Sequence, residues 1–267
     1  MPNWVRNKIM VGRPSTISII KEKYCFVDED TNELKFDFNK LIPMPDEMNI
    51  EFSSRSDHAL MLYMTRICPE VDYYGKKEDK VTKKKFNELN DELGKHMMVN
   101  TNLVCSKDEL KDLLTKYKDD EDFLLDLGKK EVNNVMNYGC LNWYEWAIKN
   151  WGTKWNSTNL DIDVDGKCMT FDTAWDPATP VFVELTKQMP EVKFAMLYSD
   201  EEIGCHVGYM LAHGGNVDFE GSFPDQTMDA YKLALDVWDL RDEYEIDEEK
   251  GTCTRLDDIK RSEIEMD

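Results

Sequence analysis

Apolar and polar positions change their period several times along this chain. From Trp4 to Val11 they alternate, Trp4, Arg6, Lys8 and Met10 against Val5, Asn7, Ile9 and Val11, which predicts a first strand ending at Gly12. Ile17, Ile20 and Tyr24 then share one side of a helix from Ser15 to Tyr24. Leu34 to Leu41 alternates again, with Phe36 and Phe38 on one face, until Pro43-Met44-Pro45 breaks the run. From Ser53 to Tyr138 the period becomes helical. Helices are expected over Asp57 to Ile67, Lys84 to Met97 and Lys107 to Lys118, the last introduced by the capping box Ser106-Lys107-Asp108-Glu109. The lysine-rich piece from Lys76 to Lys85 contains Glu78 and Asp79 and no aromatics, so it reads as a solvated linker rather than a nucleic-acid patch.

The stretch from Tyr138 to Trp155 holds four of the seven tryptophans. Trp143, Trp146, Ala147 and Trp151 share one helical face, and Leu141, Tyr144 and Ile148 form a second apolar strip, so the helix is expected to be buried on most sides. Gly152 supplies the C-terminal stop, with a strand entered near Trp155. Burying a large apolar side chain contributes about 1.5 to 3 kcal/mol, so four tryptophans give roughly 6 to 12 kcal/mol gross. That is the scale of a domain's net stability, which makes a core helix the better reading than an aromatic platform for bases or sugars.

Strand periodicity returns afterwards. Leu160 to Val164 and Cys168 to Trp175 flank the hairpin turn Asp165-Gly166. Thr179 is positioned to cap a helix that has Pro180 in its first turn and runs through Val181, Phe182, Leu185 and Met189. Val192 to Tyr198 and Cys205 to Leu211 are two further strands, the second leaving through His213-Gly214-Gly215-Asn216. A last helix begins around Ser222, Pro224 and Asp225 and carries Met228, Tyr231, Leu235 and Trp238. From Asp236 onward thirteen acidic residues face five basic ones, so the end past Tyr244 is expected to be a solvated tail.

Composition narrows the function classes. The chain has 267 residues, 41% of them hydrophobic, enough for a packed core. Its formal charge of -21 opposes duplex nucleic acid and anionic membranes as main ligands. No apolar run reaches membrane-spanning length and the opening lacks a secretion leader, so an unsecreted, soluble protein is expected. The seven cysteines are scattered, odd in number and never in a C-x-x-C pair, which fits reduced thiols in a cytoplasmic compartment.

Each candidate for chemistry has a simpler structural reading. Asp161, Asp163 and Asp165, with Gly166 and with Asp172 at the twelfth position, have calcium-loop spacing, but the flanks read as strands and Asp stands where a bidentate Glu is usual. Cys205, His206 and His213 lack the second ligand pair of a zinc site. His213-Gly214-Gly215 has no G-x-S-x-G nucleophile elbow to serve. Asp46, Glu47 and Glu51, or Asp200, Glu201 and Glu202, are carboxylate groups of the kind that 54 acids produce by chance. No catalytic, cofactor or metal residues are therefore assigned, and the binding residues stay open.

Four blocks resemble a family: M-P-N-W-V-R-N at the start, F-D-F-N-K-L-I-P-M-P from Phe36, N-W-Y-E-W-A-I-K-N-W-G-T-K-W-N from Asn142 and F-D-T-A-W-D-P-A-T-P-V-F from Phe171. Together they are similar to the YubB-type ferredoxin-like proteins of plasmids and phages. Nothing between Ser53 and Tyr138 or after Trp238 matches. The resemblance implies an α+β fold, a ferredoxin-like antiparallel sheet with helices on one face, interrupted by a helical insertion. The expected division is 1–52 with 139–243 as the core, 53–138 as the insertion and 244–267 as an acidic tail. The resemblance brings no catalytic residues.

The leading functional expectation is a non-enzymatic interaction protein of a phage or plasmid in the bacterial cytoplasm. It would bind a host or element protein, with the acidic surface imitating nucleic-acid charge. The alternatives are a single-stranded nucleic-acid module using sheet aromatics, and an enzyme of unrecognised type. No cofactor is expected, and the oligomeric state stays open.

Overall fold

The strict alternation of Trp4–Val11 makes a strand whose Val5, Ile9 and Val11 are buried while Trp4, Arg6, Lys8 and Met10 are half-buried on the other side. This strand lies at the centre of the sheet. The computed structural model describes residues 3–71, 73, 80–96 and 103–258. In chain order its elements begin β1 (Trp4–Val11), α1 (Pro14–Tyr24), β2 (Cys25–Val27), β3 (Leu34–Phe36), α2 (Ser54–Ile67), α3 (Lys83–Leu93), α4 (Lys107–Lys116), α5 (Glu121–Tyr138) and α6 (Trp143–Trp151). They continue with β4 (Thr158–Ile162), β5 (Cys168–Ala174), α7 (Thr179–Gln188), β6 (Phe194–Asp200), β7 (Val207–His213), β8 (Asn216–Phe223), α8 (Met228–Trp238), β9 (Tyr244–Asp247) and β10 (Thr252–Arg255). The chain forms two compact units, Met1–Pro43 with Ala147–Asp267, and Met44–Trp146.

The first unit is built on a six-stranded antiparallel sheet of order β4-β5-β1-β6-β7-β8. Because β1 is antiparallel to both β5 and β6, those two run parallel with β1 between them, so β5-α7-β6 is a split βαβ unit. One face buries Met169 and Phe171 from β5, Phe194 and Met196 from β6, and Met210 from β7. On that face α7 sets Phe182 edge-on to Phe194 at 6.4 Å, and α1 runs beside β1. Phe36 and Phe38 meet Phe171 at 5.3 and 5.8 Å, and Trp151 closes on Phe38 at 5.9 Å. The α+β architecture with a ferredoxin-like sheet and a helical middle is thus realised. α8 is added on the opposite face, where Ala230 and Ala234 pack on Val207.

Several elements depart from the sequence expectation for local reasons. The strand expected over Leu34 to Leu41 stops at Phe36, because Asp37 accepts the Asn39 amide at 3.0 Å and winds a single 3-10 turn over Phe38–Lys40. In α6, Trp146, Ala147 and Trp151 are buried, with Trp151 Nε1 donating to the Ile42 carbonyl at 3.0 Å, but Ile148 is 44% exposed, so the second strip is not a buried one. Gly152 does end this helix at φ +80, in a place where a Cβ would come 2.7 Å from the Pro180 ring. Thr179 is the first helical residue of α7 rather than its cap. Where a solvated tail was expected past Tyr244, β9 and β10 form a hairpin. The part of the lysine-rich stretch from 76 to 79, Met97, and the end of the chain from 259 lie outside the described residues.

In the second unit, helices α2 and α5 cross where Gly128 meets the Ala59 carbonyl, so closely that a Cβ on Gly128 would stand 2.2 Å from its oxygen. Leu60, Met64 and Ile67 of α2 pack there with Val132 and Val135 of α5 and with Phe86, Leu89 and Leu93 of α3. Capping boxes at Ser53 with Ser56 and at Ser106 with Glu109 fix the starts of α2 and α4. The 18-residue α5, absent from the sequence reading, is the longest helix among the described residues.

Candidate interaction surface on the sheet

Residues paired across antiparallel strands share a face, so the register defines rows of side chains. On the α8 side one row runs Met10, Ala195, Leu211, Phe219, and the next runs Lys8, Leu197, Tyr209, Gly221. Beyond them Val207 pairs with Phe223, and there α8 covers the sheet. The first rows stay open towards the β8 edge: Leu211 is 45% and Phe219 57% exposed. Gly221 makes room for Tyr209, since a Cβ there would lie 2.5 Å from the Tyr209 hydroxyl. The Tyr209 ring lies 5.8 Å from both Phe219 and Phe223, nearly parallel to Phe219 at 29°. The result is an aromatic and aliphatic strip on a sheet face.

Strand β8 is also an edge of the sheet, paired with β7 alone among the described residues. Its register shifts between Leu211–Phe219 and Ala212–Val217, which leaves Asp218 as an extra residue, a bulge. Asp218 is held by His213 Nδ1 at 2.6 Å. The strand carries Asp218 and Glu220 and no basic residue.

Nearer β4 the same face is polar. A groove of about 420 Å³ is lined by Arg6, Lys8, Asp161, Asp163, Cys168 and Trp238. Its cations are already engaged. Arg6 is bidentate on Asp172 at 2.9 and 3.1 Å and stacks 4.2 Å over the Trp238 ring, while Lys8 Nζ donates to the Asp236 carbonyl at 2.8 Å. A phosphate entering here would have to displace these partners. The Cys168 thiol has its pKa raised by burial, which keeps it protonated and poorly nucleophilic near neutral pH.

The structure scatters the residues singled out for chemistry. Asp172 belongs to Arg6 and to Asn159, whose Nδ2 donates at 2.9 Å, and Asp163 caps the hairpin turn by accepting the Lys167 and Cys168 amides. His206 and His213 stand just before and at the end of β7, roughly 20 Å apart at the rise of a strand, too far to share an ion. Glu51 accepts the Ser53 hydroxyl at 2.6 Å, and Glu47 accepts the Tyr138 hydroxyl at 3.3 Å. Asp200 accepts the Glu202 amide and Glu201 the Trp4 amide, so that group shapes a turn. The partners of the four histidines are one phenol and three carboxylates: Tyr117 for His58, Glu145 for His96, Asp176 for His206 and Asp218 for His213. Among the described residues no group of three or more His, Cys, Asp or Glu side chains is placed to hold a metal ion, and no helix is long and apolar enough to cross a membrane.

One titratable group stands apart. Glu131 of α5 is 1% exposed, and neither carboxyl oxygen has a hydrogen-bond partner among the described residues. Burial raises its pKa to about 8, and the nearby Asp57, Glu145 and Glu51 push the same way. The nearby Ser56 hydroxyl could lower it only by donating to the carboxylate, but its proton goes to the Glu51 carbonyl at 3.2 Å.

Residues 150–254 match the family model of the ferredoxin-like domain in Api92-like protein. This ferredoxin-like domain takes in β4 to β10 with α7 and α8, while β1, the strand between β5 and β6, comes from outside the match. A crystal structure of the protein api92 from Yersinia pseudotuberculosis is similar over 84% of this chain and 99% of that one, at 11% identity and a TM-score of 0.38. No curated protein matches the chain.

The sequence reading missed β8 and with it half of the strip. Its signal was present: after Gly214-Gly215 the run Asn216 to Phe223 places Val217 and Phe219 between polar neighbours, a short alternation following a hairpin turn.

Proposed function

We propose that this chain is a non-enzymatic interaction protein of a phage or plasmid, related to the YubB-type proteins, that binds a basic host or element protein in the bacterial cytoplasm. The observation that carries the reading is the open strip around Leu211 and Phe219 on a chain of net charge -21. Long-range attraction draws a basic partner in, and an exposed apolar surface supplies contact once the charges meet. The acidic residues after Asp236 add to that field and suit imitation of nucleic-acid charge. The stacked Tyr209 and Phe219 rings also favour a second reading, single-stranded nucleic acid, which the acids of β8 oppose.

Affinity capture from a bacterial lysate, with tagged full-length chain and washes at low and moderately high salt, tests this. The expected result is one near-stoichiometric basic protein, lost at high salt, where screening shortens the field to a few ångströms. Recovery of nucleic acid instead promotes the second reading. Capture indifferent to salt contradicts the electrostatic account.

A further inference from the structure

We infer that β8 is a docking edge: an extended segment of the partner, alternating basic and apolar residues, pairs along Asn216–Phe223 as a seventh strand and lays its apolar side chains beside Phe219. This rests on the protein-binding reading above and gives it a site and a partner chemistry.

Three observations converge on it. An edge strand presents a row of unpaired backbone donors and acceptors, and β8 is exposed from Asn216 through Glu220. Next, the period of two assigns the partner's side chains. A residue paired with Phe219 continues the row of Met10, Ala195 and Leu211 and is expected to be apolar. The residues on either side point to the other face, beside Glu220, and are expected to be lysine or arginine.

Charge then separates the occupants. A second copy pairing β8 with β8 would set Asp218 and Glu220 against the same acids, between two chains of -21 each. The bulge at Asp218 and these acids are devices that stop edge-to-edge self-association. Against a basic strand the acids become attractive, and the regular stretch from Phe219 to Phe223 remains available.

The test is a fluorescence-anisotropy titration of the full chain with three labelled peptides of about ten residues, a typical strand length and somewhat over. One alternates lysine and valine, one is the same with two internal prolines, and one is all lysine. The alternating peptide is expected to bind, and the proline version to bind at least about tenfold more weakly because it cannot pair. Phe219→Ser and Leu211→Ser, both at exposed positions, are expected to cause a similar loss, with Val164→Ser on the exposed β4–β5 turn as the unaffected control. Equal binding of all three peptides, or binding indifferent to Phe219→Ser, overturns the proposal. A concentration-dependent dimer in sedimentation, abolished by Phe219→Ser, assigns the edge to a second copy and overturns it as well. If lysate capture yields a basic protein that Phe219→Ser still holds, the site is wrong and the function stands. If no basic protein is captured, both fall.

Discussion

Asn7 Oδ1 accepts the backbone amide of Ala178 at 3.0 Å, and the same side chain's Nδ2 donates to Thr173 Oγ1 at 2.8 Å. One fully buried amide on β1 thereby ties the strand to β5 and to the entry of α7, the helix that carries the chain past β1 to β6. Asn7→Leu fills the volume but strands the Ala178 amide. The expected cost is about 1–3 kcal/mol, read as a lower denaturant midpoint with unchanged slope. An unchanged midpoint would mean that the amide finds another partner.

Arg6 and Asp172 form a second tie, between β1 and β5. The Asp172 side chain is buried and the Arg6 guanidinium is shared between it and the Trp238 face. Arg6→Ala leaves a buried carboxylate without its cation, for an expected loss of roughly 3 kcal/mol. Adding Asp172→Asn should restore part of that stability. Additive losses in this double-mutant cycle would show the two side chains to be uncoupled.

The close crossing in the helical unit sets a third expectation. Gly128→Ala puts a methyl group against the Ala59 carbonyl, so α2 and α5 must separate along their length. A destabilisation of about 1–3 kcal/mol follows, seen as a lower thermal midpoint, although alanine is the better helix former. A more stable Gly128→Ala protein would contradict the packing.

Glu131 makes stability depend on pH. Its folded pKa of about 8 lies above the ordinary 4.5, so between those values the folded chain holds a proton that the unfolded chain releases. This contribution is fully present below about pH 4.5 and is lost as pH rises towards 8. Ionisation there meets Glu51, Asp57 and Glu145, the last of which binds His96 at 3.2 Å. Glu131→Gln should match the parent protein near pH 4.5 and gain stability over it progressively towards pH 8. Parallel melting curves across that range would show the carboxyl to be ordinary.

Much of the fold was legible because local chemistry and burial agree. The alternation of Trp4–Val11 reflects a sheet with one buried face, and Asp165-Gly166 turns where Gly166 takes φ +64. Helix α5 was hidden by its own packing: Gly128, Glu131 and Asn134 sit at buried positions where an apolar pattern is sought. Asn134 is there to bond the Glu47 and Leu141 carbonyls, a tertiary reason that no window of sequence displays. Strand β8 was obscured by its exposure, which leaves polar residues between Val217, Phe219 and Phe223, and by Gly221, which interrupts the apolar run. The open strip depended on knowing where α8 stops covering the sheet, a fact of topology. The histidines and acids conspicuous in the sequence turned out to serve turns, caps and ion pairs.

Hydrogen exchange on the full chain, with and without the alternating lysine–valine peptide, measures the docking edge most directly. The account predicts new protection concentrated in the amides of Asn216–Phe223, with the opposite edge strand β4 unchanged. Protection at β4, or binding without any slowing of exchange in β8, would contradict it.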